Sequence, residues 1–201
     1  MTDTPLILAF DTSAAYCAAA LMLGDQLLET RAEDMTRGQA ERLMPLMEEL
    51  LQDHAKTWSD LDAIGVGVGP GNFTGIRIAV SAARGLALGL GAPAYGVSGF
   101  DARAEAVRCP GLASVPAPRD QVYLRDAAGE TALMPLEQAK ATAAQAGLAL
   151  LPQPTPQDLA AAIGRVALSR WPKIPEAPAP LYLRAADAAP SSDTPPVLLD
   201  P

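Results

Sequence analysis

The stretch Ile64-Gly-Val-Gly-Val-Gly-Pro-Gly-Asn-Phe-Thr-Gly-Ile-Arg77 constrains the fold more than any other part of this chain. Ile64, Val66 and Val68 alternate with glycine, which predicts a buried strand. Ile76 to Leu90 carries small and aliphatic helix formers with almost no charge, so the order is strand, turn, helix. Such a junction can aim backbone N–H groups and a positive helix end at an anion. A phosphate loop asks for more: no Gly-Lys-Ser/Thr triplet follows, and the third glycine of GxGxxG is replaced by Thr74. The leading reading is architectural, with glycines allowing strand, turn and helix to approach closely. The secondary reading is nucleotide contact, for which Asp11, Thr12, Ser13, Gly69, Gly71 and Asn72 form a candidate vestigial loop.

Three extended runs precede any helix. Leu6 to Phe10 ends at Asp11-Thr12-Ser13, then Ala14 to Leu23 and Gln26 to Glu33 follow, separated by a Gly24-Asp25 turn. A dinucleotide-binding unit goes from its first strand straight into a helix, so this order fits an antiparallel meander instead. Asp11 has two readings, a metal–nucleotide anchor or base, and an acceptor of turn N–H groups. Gly38 to His54 places Leu43, Leu46, Met47 and Leu50 on one helical stripe that Met44 and Leu51 widen. Pro45 either kinks this helix or marks its effective first turn. The helix after the glycine turn is apolar on two sides, Ile76/Ala79/Val80/Ala83 and Ile78/Ala82/Leu86, with Arg77, Ser81 and Arg84 as its polar stripe. It is expected to be buried on more than one face.

Further strands are expected at Ala94 to Val97, Ala113 to Val115, Gln121 to Arg125 and Leu148 to Leu151. Helices are expected at Gly99 to Arg108, Leu136 to Gln145 and from Pro156 to about Ser169, the last opened by Thr155 as cap with proline next to it. Pro180 to Arg184 reads as extended. The expected division is 1–108 as the first half, 109–184 as a reduced second half and 185–201 as a mobile Pro-rich tail.

Composition removes several functions. A net charge of −8 argues against holding nucleic acid unaided. One histidine and two unpaired cysteines cannot make a histidine-based metal site, whereas an all-carboxylate magnesium site stays open. Ser13 lacks both a GxSxG elbow and a histidine partner, since the sole histidine, His54, sits at a polar helix end. Met1 to Pro5 does not resemble a secretory signal, and no apolar run reaches the roughly 20 residues of a membrane span. A cytoplasmic location with no membrane contact is the expectation, with both cysteines reduced and Cys17 a core filler.

Leu6-Ile-Leu-Ala-Phe-Asp-Thr-Ser13, Arg37-Gly-Gln-Ala-Glu-Arg-Leu-Met-Pro45, Gly67-Val-Gly-Pro-Gly-Asn-Phe-Thr-Gly-Ile-Arg77 and Leu181-Tyr-Leu-Arg184 together resemble the TsaB (YeaZ) family of tRNA threonylcarbamoyladenosine biosynthesis subunits. The similarity is strong over residues 6 to 108 and weak over 110 to 180. It implies an α/β fold of the actin-like, Hsp70-like and sugar-kinase-like (ASKHA) class, with two related halves of which the second is reduced. It implies a non-catalytic dimerisation subunit that binds and activates TsaD, the transferase acting on adenosine 37 of tRNA, with TsaE as third member. By the same resemblance, ATP and metal belong to those partners, tRNA is touched only indirectly, and the chain alone forms a homodimer through the same helices. The HxxxH metal pair of TsaD falls on Gly99 and Arg103. The family often has a histidine where this chain has Gln39, and D-A-R where it reads Pro116-Ala117-Pro118.

From the family's four-helix pairing, and from two helices with more apolar surface than one core uses, Leu43, Met47, Leu50, Ile76, Val80 and Ala83 are expected at the partner contact, bordered by Arg77 or Arg84. The competing expectation is that this surplus packs under the second half. A different function class also stays open, a small ATP-dependent phosphotransferase using the actin-like cleft with Asp11 as metal anchor.

Overall fold

A computed structural model describes residues 4–183. Arg184 and the 185–201 tail lie outside the described residues. The first three strands, β1 (Leu6–Asp11), β2 (Tyr16–Leu23) and β3 (Gln26–Asp34), form an antiparallel meander. Helix α1 (Gln39–Asp53) follows, then β4 (Ala63–Gly67), α2 (Phe73–Leu90), β5 (Ala94–Val97) and α3 (Gly99–Val107). Strands β4 and β5 add in parallel on the other side of β1, giving the order β3-β2-β1-β4-β5.

Period-two alternation sorts the side chains of this sheet into two layers. Leu6, Leu8 and Phe10 of β1, with Ile64 and Val66 of β4, face α1 and α2. Ile7 and Ala63 pack on the opposite layer with Tyr95 and Ala167. The strand glycine Gly65 belongs to that layer: a Cβ there would stand 3.1 Å from Ile163 Cγ2, so the helix at that face sits close enough that a side chain would make it give by a few tenths of an ångström.

That helix is α5 (Pro156–Arg170), opened by a reciprocal Thr155–Asp158 capping box with proline in its first turn. Its Leu159, Ala160, Ala161 and Ile163 pack on Ala9, Ala18 and Ala20 of the meander. A cut at 108/109 assigns α5 to the second half, whereas the structure lays it on the first sheet. The layers are helix, sheet, helix. The second half reduces to β6 (Ser114–Ala117), β7 (Gln121–Arg125) and β8 (Thr131–Pro135), an antiparallel three-stranded sheet, with α4 (Leu136–Gln145) packed on it through Ala139 and Ala143.

Three local expectations change. Strand β8 is an additional element. Leu148 to Leu151 is not a strand but makes a single parallel bridge, Leu112 to Leu150. Pro45 lies inside α1 rather than at its first turn. Cys17 is a core residue, and burial pushes its thiol up to about 12.

Candidate partner-docking face and interdomain cleft

The end of β1 and the start of α2 interlock. Asp11 is buried, its Oδ1 accepts the Ser13 N–H at 3.0 Å, and its Oδ2 accepts the Ser13 hydroxyl at 2.8 Å and the Tyr16 hydroxyl. Burial first, and the Asp11 carboxylate second, hold the Tyr16 phenol well above its ordinary value, so it stays a donor. Thr12, fully buried, donates its hydroxyl to the Gly75 carbonyl at 2.7 Å. Asn72 caps α2 by accepting the Gly75 N–H at 2.9 Å, and its own N–H donates to the Ser13 carbonyl at 2.7 Å. Gly69 takes φ +91°, a backbone region that favours glycine, and its carbonyl accepts the Gly99 N–H at 2.8 Å.

Of the six residues of the candidate loop, Asp11, Ser13 and Asn72 hold one another and Gly71 lies against Ser13, while Thr12 is tied to Gly75 and Gly69 to Gly99. Asn72 and Gly75 N–H groups are spent inside the joint. Among the described residues, no group of three or more His, Cys, Asp or Glu is placed to hold a metal ion.

Above this joint opens a cleft of about 960 Å³, walled by Ser13, Asn72 and Phe73 on one side and by Val115, Tyr123 and Leu183 on the other. The cation on its wall is the half-buried Arg103, whose Nη1 donates to the Gly99 carbonyl and Nε to Gln153 Oε1, both at 3.0 Å. Gln153 in turn donates to the Ser114 carbonyl at 3.1 Å, which ties α3 to the second sheet. Burial lowers the Arg103 guanidinium from its ordinary value. Tyr16 does not stand out in the sequence as a site residue, because it belongs to no recognisable motif, and Arg103 enters there only as a position on which the HxxxH pair of TsaD falls.

The outward layer corrects the expected contact residues. Leu43, Met47, Leu50, Ile76, Val80 and Ala83 are each at most 3% exposed and belong to the core between the helices and the sheet. They fix α1 and α2 in place, and of the six only Leu43 lines the groove between the helices and only Ile76 the cleft. The exposed face belongs to their neighbours: Ala40 and Met44 of α1, with Phe73, Arg77, Ile78 and Ser81 of α2, border a groove of about 480 Å³. Met44, Phe73 and Tyr182 are large apolar or aromatic residues left 38%, 39% and 43% exposed. Arg77 and Arg84 are both exposed. Helix α2 is also long and apolar enough to cross a membrane, although five of its residues, including Ile76, Ala79 and Val80, are buried against the sheet. His54, beyond the end of α1, lies 2.9 Å from Glu29 of β3.

Fold and site together define an α/β protein of the actin-like, sugar-kinase-like class, with a reduced second half, a cleft and an exposed helical layer. Residues 31–179 match the family described as TsaD: tRNA N6-adenosine threonylcarbamoyltransferase. A relative in Mycobacterium tuberculosis is 34% identical over 92% of this chain and 94% of its own length, and carries no functional description. The Escherichia coli tRNA threonylcarbamoyladenosine biosynthesis protein TsaB is 38% identical over 46% of this chain and 39% of its own. A solved Pseudomonas aeruginosa structure described as similar to peptidase YEAZ superposes with TM-score 0.69 at 29% identity, covering 90% of this chain and all of that one. The chain belongs to the TsaB/YeaZ family.

Proposed function

We propose that this chain is a non-catalytic scaffold subunit in the biosynthesis of N6-threonylcarbamoyladenosine at position 37 of tRNA, docking and activating a TsaD-type transferase through the exposed face of α1 and α2. The observation that carries this reading is the groove between those helices, rimmed by Met44, Phe73 and Arg77, in a chain of the TsaB/YeaZ family. A layer already anchored by a full core and still presenting large apolar side chains is suited to a second helical layer. On this reading ATP and metal act on the partner subunits, TsaD and TsaE, tRNA is reached only through them, and the complex is cytoplasmic. The same face serves a homodimer when the chain is alone.

The cleft favours a second reading, a small ATP-dependent phosphotransferase, because it opens beside Asp11. Against it, the Asp11 carboxylate already accepts three hydrogen bonds and Arg103 is the charged group at the wall. Calorimetry with Mg-ATP on the isolated chain separates the two, since tight binding with turnover supports the phosphotransferase alone. The scaffold reading is tested by Met44→Asp combined with Ser81→Asp, both at exposed positions. The folded double variant is expected to lose co-purification of the TsaD-type subunit and to leave tRNA undermodified in cells. Retained complex and modification would sink it.

A further inference from the structure

Acidic residues outnumber basic ones in this chain by 23 to 15, yet α2 has no Asp or Glu in its 18 residues and carries Arg77 and Arg84. Six of the eleven arginines among the described residues have carboxylate partners, namely Arg31, Arg42, Arg108, Arg125, Arg165 and Arg170. Arg77 makes no ion pair within 4.0 Å among the described residues, and it is nevertheless held still. Its Cζ stands 3.7 Å over the Phe73 ring and 5.8 Å from the Tyr182 ring, and the two rings are 5.0 Å apart. Its Nε donates to the Tyr182 hydroxyl at 2.8 Å. That bond uses the side edge of the guanidinium and leaves the two terminal nitrogens, Nη1 and Nη2, without a hydrogen-bond partner among the described residues.

A planar cation with a fixed orientation and a free two-donor edge matches a carboxylate in end-on bidentate geometry. The aromatic clamp has already removed much of the side-chain freedom that docking would otherwise have to freeze. The groove beside it is apolar, rimmed by Met44 and Ile78, so a matching segment carries its acid next to apolar side chains.

We infer that Arg77 is a specificity determinant of the α1–α2 face and takes an aspartate or glutamate of the docked protein, with Tyr182 as its positioning residue. This rests on the docking role proposed above for that face and names the chemistry the partner, the TsaD-type subunit, must present. Arg84, two helical turns further on, has no such clamp and serves as an internal control.

The test titrates the full chain with the TsaD-type subunit of the same genome at low and high salt. Arg77→Gln is expected to weaken binding about tenfold or more at low salt and to flatten the salt dependence. Arg77→Lys recovers only part of the loss, because a lysine supplies a point charge without the two-donor edge. Tyr182→Phe, which keeps the ring and removes the hydroxyl, costs about threefold, and Arg84→Gln stays within about twofold. If Arg77→Gln binds like the unaltered chain while Met44→Asp does not, the guanidinium role is wrong and the face stands. If Met44→Asp also binds normally, the docking role itself fails. A loss for Arg77→Gln with unchanged salt dependence would reduce Arg77 to a stacking residue and overturn the carboxylate claim.

Discussion

At the N-terminal end of α2, a Cβ on Gly75 would lie 1.9 Å from the Thr12 carbonyl oxygen; towards the other end of the same helix, Gly85 and Gly89 have nothing within 4 Å. In sequence both ends carry glycine among larger apolar residues. The first is a joint. Gly75, Gly71 and Gly67 let the end of β1 press against the turn, with added carbons meeting Thr12 O at 1.9 Å, Ser13 O at 2.4 Å and Asp11 Oδ1 at 2.3 Å. Two of these contacts are backbone oxygens, which cannot rotate away. The second end is open surface, where glycine costs helix stability and gains no contact inside this chain. Glycine density therefore marks a phosphate loop, a steric joint or an unoccupied face depending on what stands opposite.

The largest effect that would break this contrast is expected from Gly75→Ala. The new methyl cannot fit without moving β1 away from α2, so the cost is expected to be ~3 kcal/mol or more, visible as loss of cooperative unfolding in urea. A small change in midpoint would mean that the joint is loose. Next in size is Thr12→Val, which keeps the shape and removes the buried hydroxyl that donates to Gly75 at 2.7 Å. A loss of ~1–2 kcal/mol in chemical unfolding is expected, less than for Gly75 because the Gly75 carbonyl can still accept within the helix.

The first sheet is largely legible in the sequence because each of its signals is local. The short apolar run Leu6 to Phe10, the Gly24-Asp25 turn and the apolar stripe of α1 each give the observed element within a residue or two. Helix α4 matches its expected span, and the cap at Thr155 is read correctly. Strand β8 escapes because Thr131 to Pro135 is at most half-buried and shows no alternation. The placement of α5 escapes for another reason: a stripe of alanines fits either sheet, and only the close approach at Gly65 and Gly164 selects the first.

The site divides along the same line. The Asp11–Ser13 turn and the glycine loop are both visible, and their mutual contact is what the structure adds. The exposed face of α1 and α2 lies one helical position away from the residues expected there. The stripe of Leu43, Met47 and Leu50 looks surplus in sequence, but the sheet consumes all of it and leaves Met44 outside. Tyr182 is beyond local inference, since it meets Arg77 across 105 residues of chain.

The smallest expected effect tests what the open end of α2 is for. Gly85→Ala places a methyl in free space on a helix, so the isolated chain should gain ~0.5–1 kcal/mol, read as a rise in Tm. Gly85 follows Ser81 by four residues and Ile78 by seven, which puts it on the groove-facing side of α2. Empty space there has two physical meanings, solvent or room for a docked helix. If it is solvent, Gly85→Ala gains stability and leaves binding of the TsaD-type subunit unchanged. If a partner helix comes close at this point, the same methyl stabilises the free chain and weakens the complex, so stability and affinity move in opposite directions. The docking proposal expects the second outcome, with a Tm increase and a several-fold loss of affinity in the same variant.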